Sequence, residues 1–547
     1  VIGGTALIGA HAWAYGSWMV DDSAITFSYA RSISEGLGPV VQPGAEPVEG
    51  FSNPTWTMLL AIGRLLGLFD RGTLFGIPDY VLFPKLLGLL FCAGILTACY
   101  LAVRKTTRRP WLVTLGIGAV LAAIPSFVIW CFSGLENSLF AFAVTCLAAL
   151  LFRAVMDGRL HSARVALLAG VLAAVAALTR PDGAIYAATY ALVVLCQLRR
   201  STLKSSVGYA ALSLVGFAVP YGSYLTWRFF EFDRLVPNTA VAKGQHFPGV
   251  STLARTGDLV GYAGALAVLV LVLIVGIALA RASALRAGLI TLMVPLGLGV
   301  VAYAVLERDW MGQYRFATPV WVLATLIGGL ATAEVVRRTR GRVRVLVPLA
   351  LVVAMIPSLA VFAGTVRDFR AKPTIPMCYI ADRFGRVFNQ YADILGLDQA
   401  SLLEPDLGGS SMTSRLNIVD MAGLVDAKIA DFYHDHDMAG LRDYVFNDVK
   451  PTFIHSRGPW GPGNGIARDS RLATDYTPIF RYVDDGSPVG DGDWVRKDAV
   501  ASLEKLQAAR SYADATVRDM EHRLDTWPRR HCGDTLRPGQ TNINQSS

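Results

Sequence analysis

Twelve apolar runs, every one of them before residue 365, constrain this chain more than any other feature. A helix needs about 20 apolar residues to cross ~30 Å of hydrocarbon at ~1.5 Å per residue. The runs at 2–20, 55–69, 80–103, 111–130, 137–156, 165–179, 183–198, 207–229, 259–280, 285–306, 314–336 and 343–363 are therefore candidate membrane spans. Of the 547 residues, 53% are hydrophobic and 17% charged, which excludes an ordinary soluble protein as well as disordered, fibrous and disulfide-scaffold classes. The pattern predicts an α-helical polytopic membrane protein with a soluble C-terminal region. The chain opens at Val1 inside an apolar run, which suggests a short cytoplasmic leader ahead of it and does not read as a cleaved signal.

Charge fixes the expected topology. Residues 1–364 hold 28 Lys and Arg against 16 Asp and Glu, a balance of +12, whereas residues 365–547 hold 22 against 26, a balance of −4. The basic character is thus a membrane-topology signal and not a nucleic-acid one. The basic clusters at 104–109, 153–164, 199–204, 281–286 and 337–344 should all face the cytoplasm. If all twelve runs crossed from an inside N-terminus, every cluster would lie outside. Demoting one early run repairs all the loops together, and 55–69 is the weakest, being short and interrupted by Arg64. It is expected to lie along the outer surface. Eleven spans remain, with a transmembrane region 1–364, a first outer loop 21–54 and a C-terminal α/β cap over 365–547 on the periplasmic side of the plasma membrane.

With this topology most acidic residues of the membrane region lie on the outer face, and the chemistry should sit there. Five cysteines fall in apolar runs and read as small core residues. Cys378 and Cys532 bracket the outer region, where a bridge and two free thiols are both open. No Cys/His spacing resembles a zinc site, and no metal or other cofactor is expected.

The first outer loop opens Asp21-Asp22-Ser23-Ala24-Ile25 and runs through Val48-Glu49-Gly50-Phe51-Ser52-Asn53-Pro54-Thr55-Trp56. Further on stand Ser133-Gly134-Leu135-Glu136, Leu178-Thr179-Arg180-Pro181-Asp182-Gly183, Pro237-Asn238-Thr239, Glu307-Arg308-Asp309-Trp310 with Arg315-Phe316, and Asp420-Met421-Ala422-Gly423-Leu424. In this order and spacing the motifs resemble the polyprenol-phosphate-dependent glycosyltransferases of the GT-C superfamily, in particular the mycobacterial terminal beta(1,2)-arabinofuranosyltransferases. The resemblance runs through almost the whole chain. It implies decaprenyl-phosphoryl-arabinofuranose as donor, a cell-wall arabinan (arabinogalactan or lipoarabinomannan) as acceptor, and net retention at the anomeric carbon.

Transfer from a polyprenyl phosphate needs a carboxylate near the sugar and cations for the leaving phosphate. Asp21 and Asp22, where the first run reaches water, are the expected catalytic pair; helix N-capping is the plainer reading. Arg315, Arg180, Lys243 and Arg308 are the candidates for the donor phosphate, with ion pairs to Asp309, Glu307 or Asp182 as the structural alternative. Glu49, Glu136, Asn238, Asp309 and Trp310 are candidate substrate contacts, although Glu136 also suits a helix N-terminus and Trp310 a membrane interface. His434-Asp435-His436-Asp437 reads as a solvated face, residues 460–465 as a flexible turn, and the tail from Arg537 as disordered. A transferase of another lipid-phosphate sugar, such as mannose, keeps the same mechanism. A secondary transporter would need paired halves and charges near mid-membrane, whereas the polar clusters here lie at outer helix ends.

Overall fold

The computed structural model describes the chain except residues 245–248, 250, 251, 253, 282, 308, 459, 483–489, 524, 525, 527–529 and 544–547. Six helices are long and apolar enough to cross a membrane: Asp79–Val103, Asn137–Met156, Arg200–Phe232, Ala284–Val305, Arg315–Arg338 and Arg344–Ala371. Two helix pairs pass the same test but are bent, Pro110–Ala123 with Pro125–Cys131 by 83° and Thr256–Ala263 with Ala265–Arg281 by 97°. The chain is thus a helical, multi-pass membrane protein with six to eight such spans among the described residues, against the eleven expected from the apolar runs. The expected first span is a helix of only 12 residues, Ile2–Trp13, and elsewhere Pro or Gly breaks a run. Pro125 has no amide hydrogen to continue the preceding helix, and Gly264 at φ +90 turns the chain where Ser358 packs and donates to the Ala263 carbonyl at 2.8 Å. Ala163–Thr179 is a shorter apolar helix, and Pro181–Ala188 is wound as a 3₁₀ helix before Thr189–Cys196.

Small residues let the bundle close. The ideal Cβ of an alanine at Gly170 would lie 2.0 Å from the Ser213 carbonyl oxygen, and one at Gly216 2.8 Å from that of Leu167, so Ala163–Thr179 and Leu203–Phe232 meet backbone to backbone. Aromatic and aliphatic side chains such as Phe127, Trp130, Phe152 and Leu323 fill the centre.

The first loop supplies the helix Asp22–Ser34, then the helix Pro54–Leu65, then a two-stranded hairpin of β1 (Thr73–Leu74) and β2 (Ile77–Pro78). Pro54–Leu65 has 12 residues, about 18 Å of helix against ~30 Å of hydrocarbon. It buries Trp56, Leu60 and Ala61 and exposes Met58, Ile62 and Leu65.

Beyond Ala371 the chain forms a five-stranded mixed sheet of β3 (Ser401–Glu404), β4 (Asn417–Asp420), β5 (Phe453–Ser456), β6 (Tyr476–Arg481) and β7 (Gly492–Arg496), in the order β4-β3-β5-β7-β6. β3 runs parallel to β4 and β5, while β7 is antiparallel to β5 and β6. The unit shares one core with the first loop: Phe27, Trp56, Phe69 and Tyr80 pack with Met377, Phe384, Phe388 and Tyr391. Cys378 and Cys532 are joined by a disulfide. The tail expected to be disordered from Arg537 instead packs back as far as residue 543. Gln540 accepts from the buried Arg386 at 2.9 Å and its carbonyl from Asn389 at 2.8 Å, which gives a polar segment fixed partners. Trp460–Asn464, expected as a turn, is a short helix. His434, Asp435 and His436 are exposed, and Asp437 caps the Gly440 amide at 2.8 Å.

A candidate catalytic site where the first loop meets the C-terminal unit

Asp21 and Asp22 stand on a clamped piece of backbone. The Val20 amide donates to the Ser133 carbonyl at 3.0 Å, the Asp21 amide to that of Ile375 at 3.1 Å, and the Met377 amide to that of Met19 at 3.0 Å. The helix Asp22–Ser34 then leaves with Asp22 in its first turn. Asp21 occupies the N-cap position but its side chain makes no cap bond; its Oδ1 accepts instead from the Gly409 amide at 2.7 Å. Tertiary docking has therefore taken the carboxylate away from local capping. The partner is Gly-Gly for a steric reason, since the ideal Cβ of a residue at 408 would lie 2.4 Å from Asp21 Oδ1 and one at 409 would lie 2.3 Å from the Met377 carbonyl.

Burial, with Asp22 and Asp406 close by, raises the Asp21 carboxyl well above the usual carboxylate range, and the Gly409 amide opposes it. Burial also raises Asp22, against the pull of Lys243 and Arg315, with Asp309 and Glu136 adding to the rise. One electrostatic neighbourhood thus holds Asp22, Lys243, Arg315, Asp309 and Glu136, which the sequence scatters over almost 300 residues.

The other members are largely paired. Arg180 bridges Glu136 at 3.0 Å and Asp182 at 2.9 Å, with its guanidinium over the Phe316 ring at 4.6 Å. The second oxygen of Glu136 accepts from Asn53 at 2.7 Å. Arg315 lies 2.7 Å from Asp309 and over the rings of Phe316 and Trp130, at 4.9 and 5.8 Å from their centroids. Gln313 and Tyr314 turn it there with consecutive left-handed backbones, φ +49 and +53, a strained pair of a kind that clusters at functional sites. Asn137, first residue of the helix Asn137–Met156, and Trp130, in the helix Pro125–Cys131, pin the turn, donating to the Arg315 and Gln313 carbonyls at 3.1 and 2.9 Å. Asp22 is the carboxylate left with no side-chain hydrogen bond or ion pair among the described residues.

A third approach comes from the C-terminal unit. Glu404 and Asp420 end the paired parallel strands β3 and β4, the edge at which α/β sheets place their sites. Burial pushes Asp420 up to about 7 and Asp406 up to about 6, the latter with help from Asp22. Asp406 was missed in the sequence because a lone Asp in a Pro-Asp-Leu-Gly-Gly turn reads as a turn former.

Two candidate contacts serve assembly instead. Glu49 is buried on Arg228 and Tyr224, both at 2.5 Å, and thereby ties the loop to Leu203–Phe232. Asn238 donates to the carbonyls of Gly423, Leu424 and Asp426 at 2.7, 3.1 and 3.3 Å, holding the C-terminal unit. Trp310 is 54% exposed, and it is Trp130 whose ring lies under the Arg315 guanidinium. Lys243 is exposed at the end of Asn238–Lys243, and Arg308 lies outside the described residues.

No protein-family model matches the sequence, and no curated protein matches it either. Solved structures do. ArnT from Cupriavidus metallidurans bound to undecaprenyl phosphate superposes with a TM-score of 0.55 at 14% identity, over 83% of this chain and 92% of ArnT. The same protein in its apo state gives 0.51 at 12%, over 82% and 91%. The archaeal oligosaccharyltransferase AglB from Archaeoglobus fulgidus gives 0.45 at 10%, over 82% and 69%. Over most of both lengths, the chain therefore shares the fold of ArnT.

Proposed function

We propose that this chain is a membrane glycosyltransferase that moves arabinofuranose from decaprenyl-phosphoryl-arabinofuranose onto the non-reducing ends of a cell-wall arabinan, forming terminal beta(1,2) linkages. The observation that carries the transferase reading is Asp22, a carboxylate on a clamped helix start that has no side-chain hydrogen bond or ion pair among the described residues and lies within the electrostatic reach of Lys243 and Arg315. Arg315 and Lys243 would meet the donor phosphate as its bond to the anomeric carbon breaks, with charge-assisted bonds that strengthen as the phosphate gains charge. Asp22 would face the anomeric carbon, as nucleophile or as the charge that stabilises a front-face attack; retention is compatible with both. Arg180, Glu136 and Asn53 would hold the floor of the site. ArnT binds undecaprenyl phosphate, and the shared fold supports a polyprenyl-phosphate donor here. The choice of arabinofuranose rests on the motif resemblance, and the periplasmic orientation on the basic loops together with the Cys378–Cys532 bridge. The test is to offer purified protein the arabinofuranosyl and mannosyl lipid phosphates with arabinan oligosaccharides and to determine the product linkage. A beta(1,2) arabinofuranosyl product is expected; transfer of mannose alone would keep the transferase and overturn the sugar.

A further inference from the structure

Away from Asp21 and Asp22, a cavity of about 520 Å³ opens between Asp22–Ser34, the end of Pro54–Leu65, Gly408–Thr413 and the tail at 535–538. That volume is of the size that small-molecule sites take. Its wall carries Arg31, Arg64, Arg71, Arg415 and Arg537 against only Glu35 and Asp70, a balance of +3. The inner charges satisfy one another: buried Asp70 is shared by Arg31 at 2.7 Å and Arg64 at 3.1 Å, and Arg64 reaches Glu35 at 2.7 Å. Arg415 pairs with Asp393. Arg71 and Arg537 are exposed at the mouth, and neither has a carboxylate at ion-pair distance among the described residues; Arg71 makes one long bond, 3.4 Å, to the Arg64 carbonyl. No aromatic ring lines the cavity, so a sugar face finds no stacking surface there.

The rim is apolar. Leu65 and Leu66, directly after Arg64, are 65% and 68% exposed, and Phe75 in the β1–β2 hairpin is 97% exposed. In a membrane protein an exposed apolar collar beside a polar face belongs at the boundary of headgroups and acyl chains. Planar guanidinium forks match phosphate oxygens better than hydroxyls.

We propose that this cavity holds the phosphate-bearing headgroup of an anionic lipid, with Arg71 and Arg537 on the phosphate and Leu65, Leu66 and Phe75 against the acyl chains. The site lies outside the transferase machinery and does not depend on that activity.

Native mass spectrometry of the purified full chain, equilibrated with phosphatidylglycerol or phosphatidylcholine, tests it. Wild type should retain phosphatidylglycerol preferentially. Arg71→Ser with Arg537→Ser should weaken that retention roughly 10- to 30-fold, from about one near-surface contact per arginine. The corresponding double Lys variant keeps the charge and should recover most of it, and thermal melting controls for folding. Equal retention of the two lipids by wild type, or undiminished phosphatidylglycerol on the double Ser variant, would overturn the site. Competition by glycerol phosphate at the same concentration as the lipid would overturn the lipid in favour of a soluble phosphate compound.

Discussion

Asp21 and Gly409 meet across 388 residues of sequence, the Gly409 amide donating to Asp21 Oδ1 at 2.7 Å. This bond joins the first loop to the C-terminal unit next to Asp22. It makes the acidic pair a property of the whole fold and not of the loop that carries it.

Gly408→Ala tests that dependence. Its Cβ would stand 2.4 Å from the Asp21 carboxylate, so either Asp21 or the Gly408–Thr413 helix must move. A displacement near 1 Å at a catalytic group costs about 100-fold in rate. Transfer of labelled sugar should fall by that order while donor binding changes little; unchanged turnover would show that the docking does not position the site.

Asp22→Asn keeps the shape of the side chain and removes its charge. Transfer should fall on the order of 100-fold or more with the thermal melt intact. Asp21→Asn should be damaging but less so, because an amide oxygen can still accept from Gly409. Arg315→Ala should act on the donor, raising its KM by about 10- to 100-fold for a lost charge-assisted bond. Wild-type turnover in both Asp variants would remove the proposed site.

Asp406 gives a pH test. Its folded carboxyl is pushed up to about 6, above the ordinary Asp range near ~3.9. Between those values the unfolded chain releases the proton and the folded chain keeps it, so this group's contribution is fully present below about pH 4 and is lost as pH rises through about 6. Asp406→Asn cannot ionise. Its melting temperature should match wild type near pH 4, rise above it through pH 5 and 6, and hold a constant advantage beyond pH 7. Parallel melting curves at all pH values would refute the assignment.

Topology is tested by labelling. In intact cells, with exposed Cys196 replaced by Ser to lower the background, a membrane-impermeant thiol reagent should reach a cysteine placed at Asp435 and not one at Arg108. Labelling of Arg108→Cys would invert the map. A third cysteine at Met58, on the exposed face of Pro54–Leu65, should be reached from outside only if that helix lies on the outer surface.

The sequence by itself determined what one-dimensional patterns can encode. Apolar run length set the membrane class, because the hydrocarbon core imposes a length on every helix that crosses it. Motif order led to the fold, and Asp21, Asp22, Glu136, Arg180, Asp309 and Arg315 were legible as polar residues at the ends of apolar runs, with Lys243 in a loop between two of them. Pairing was not legible. Arg180 with Glu136, Glu49 with Arg228 and Asp21 with Gly409 join residues far apart in sequence, and no local periodicity records which distant partner satisfies a buried charge. The same holds for Asp406, which acquires its raised carboxyl only from burial beside Asp22, and for the tail, whose polar composition predicted disorder until Arg386 and Asn389 supplied partners for Gln540. Apolar burial is non-directional and so survives projection onto sequence. Hydrogen bonds and ion pairs are satisfied at particular distances between particular atoms, and only the tertiary structure sets those.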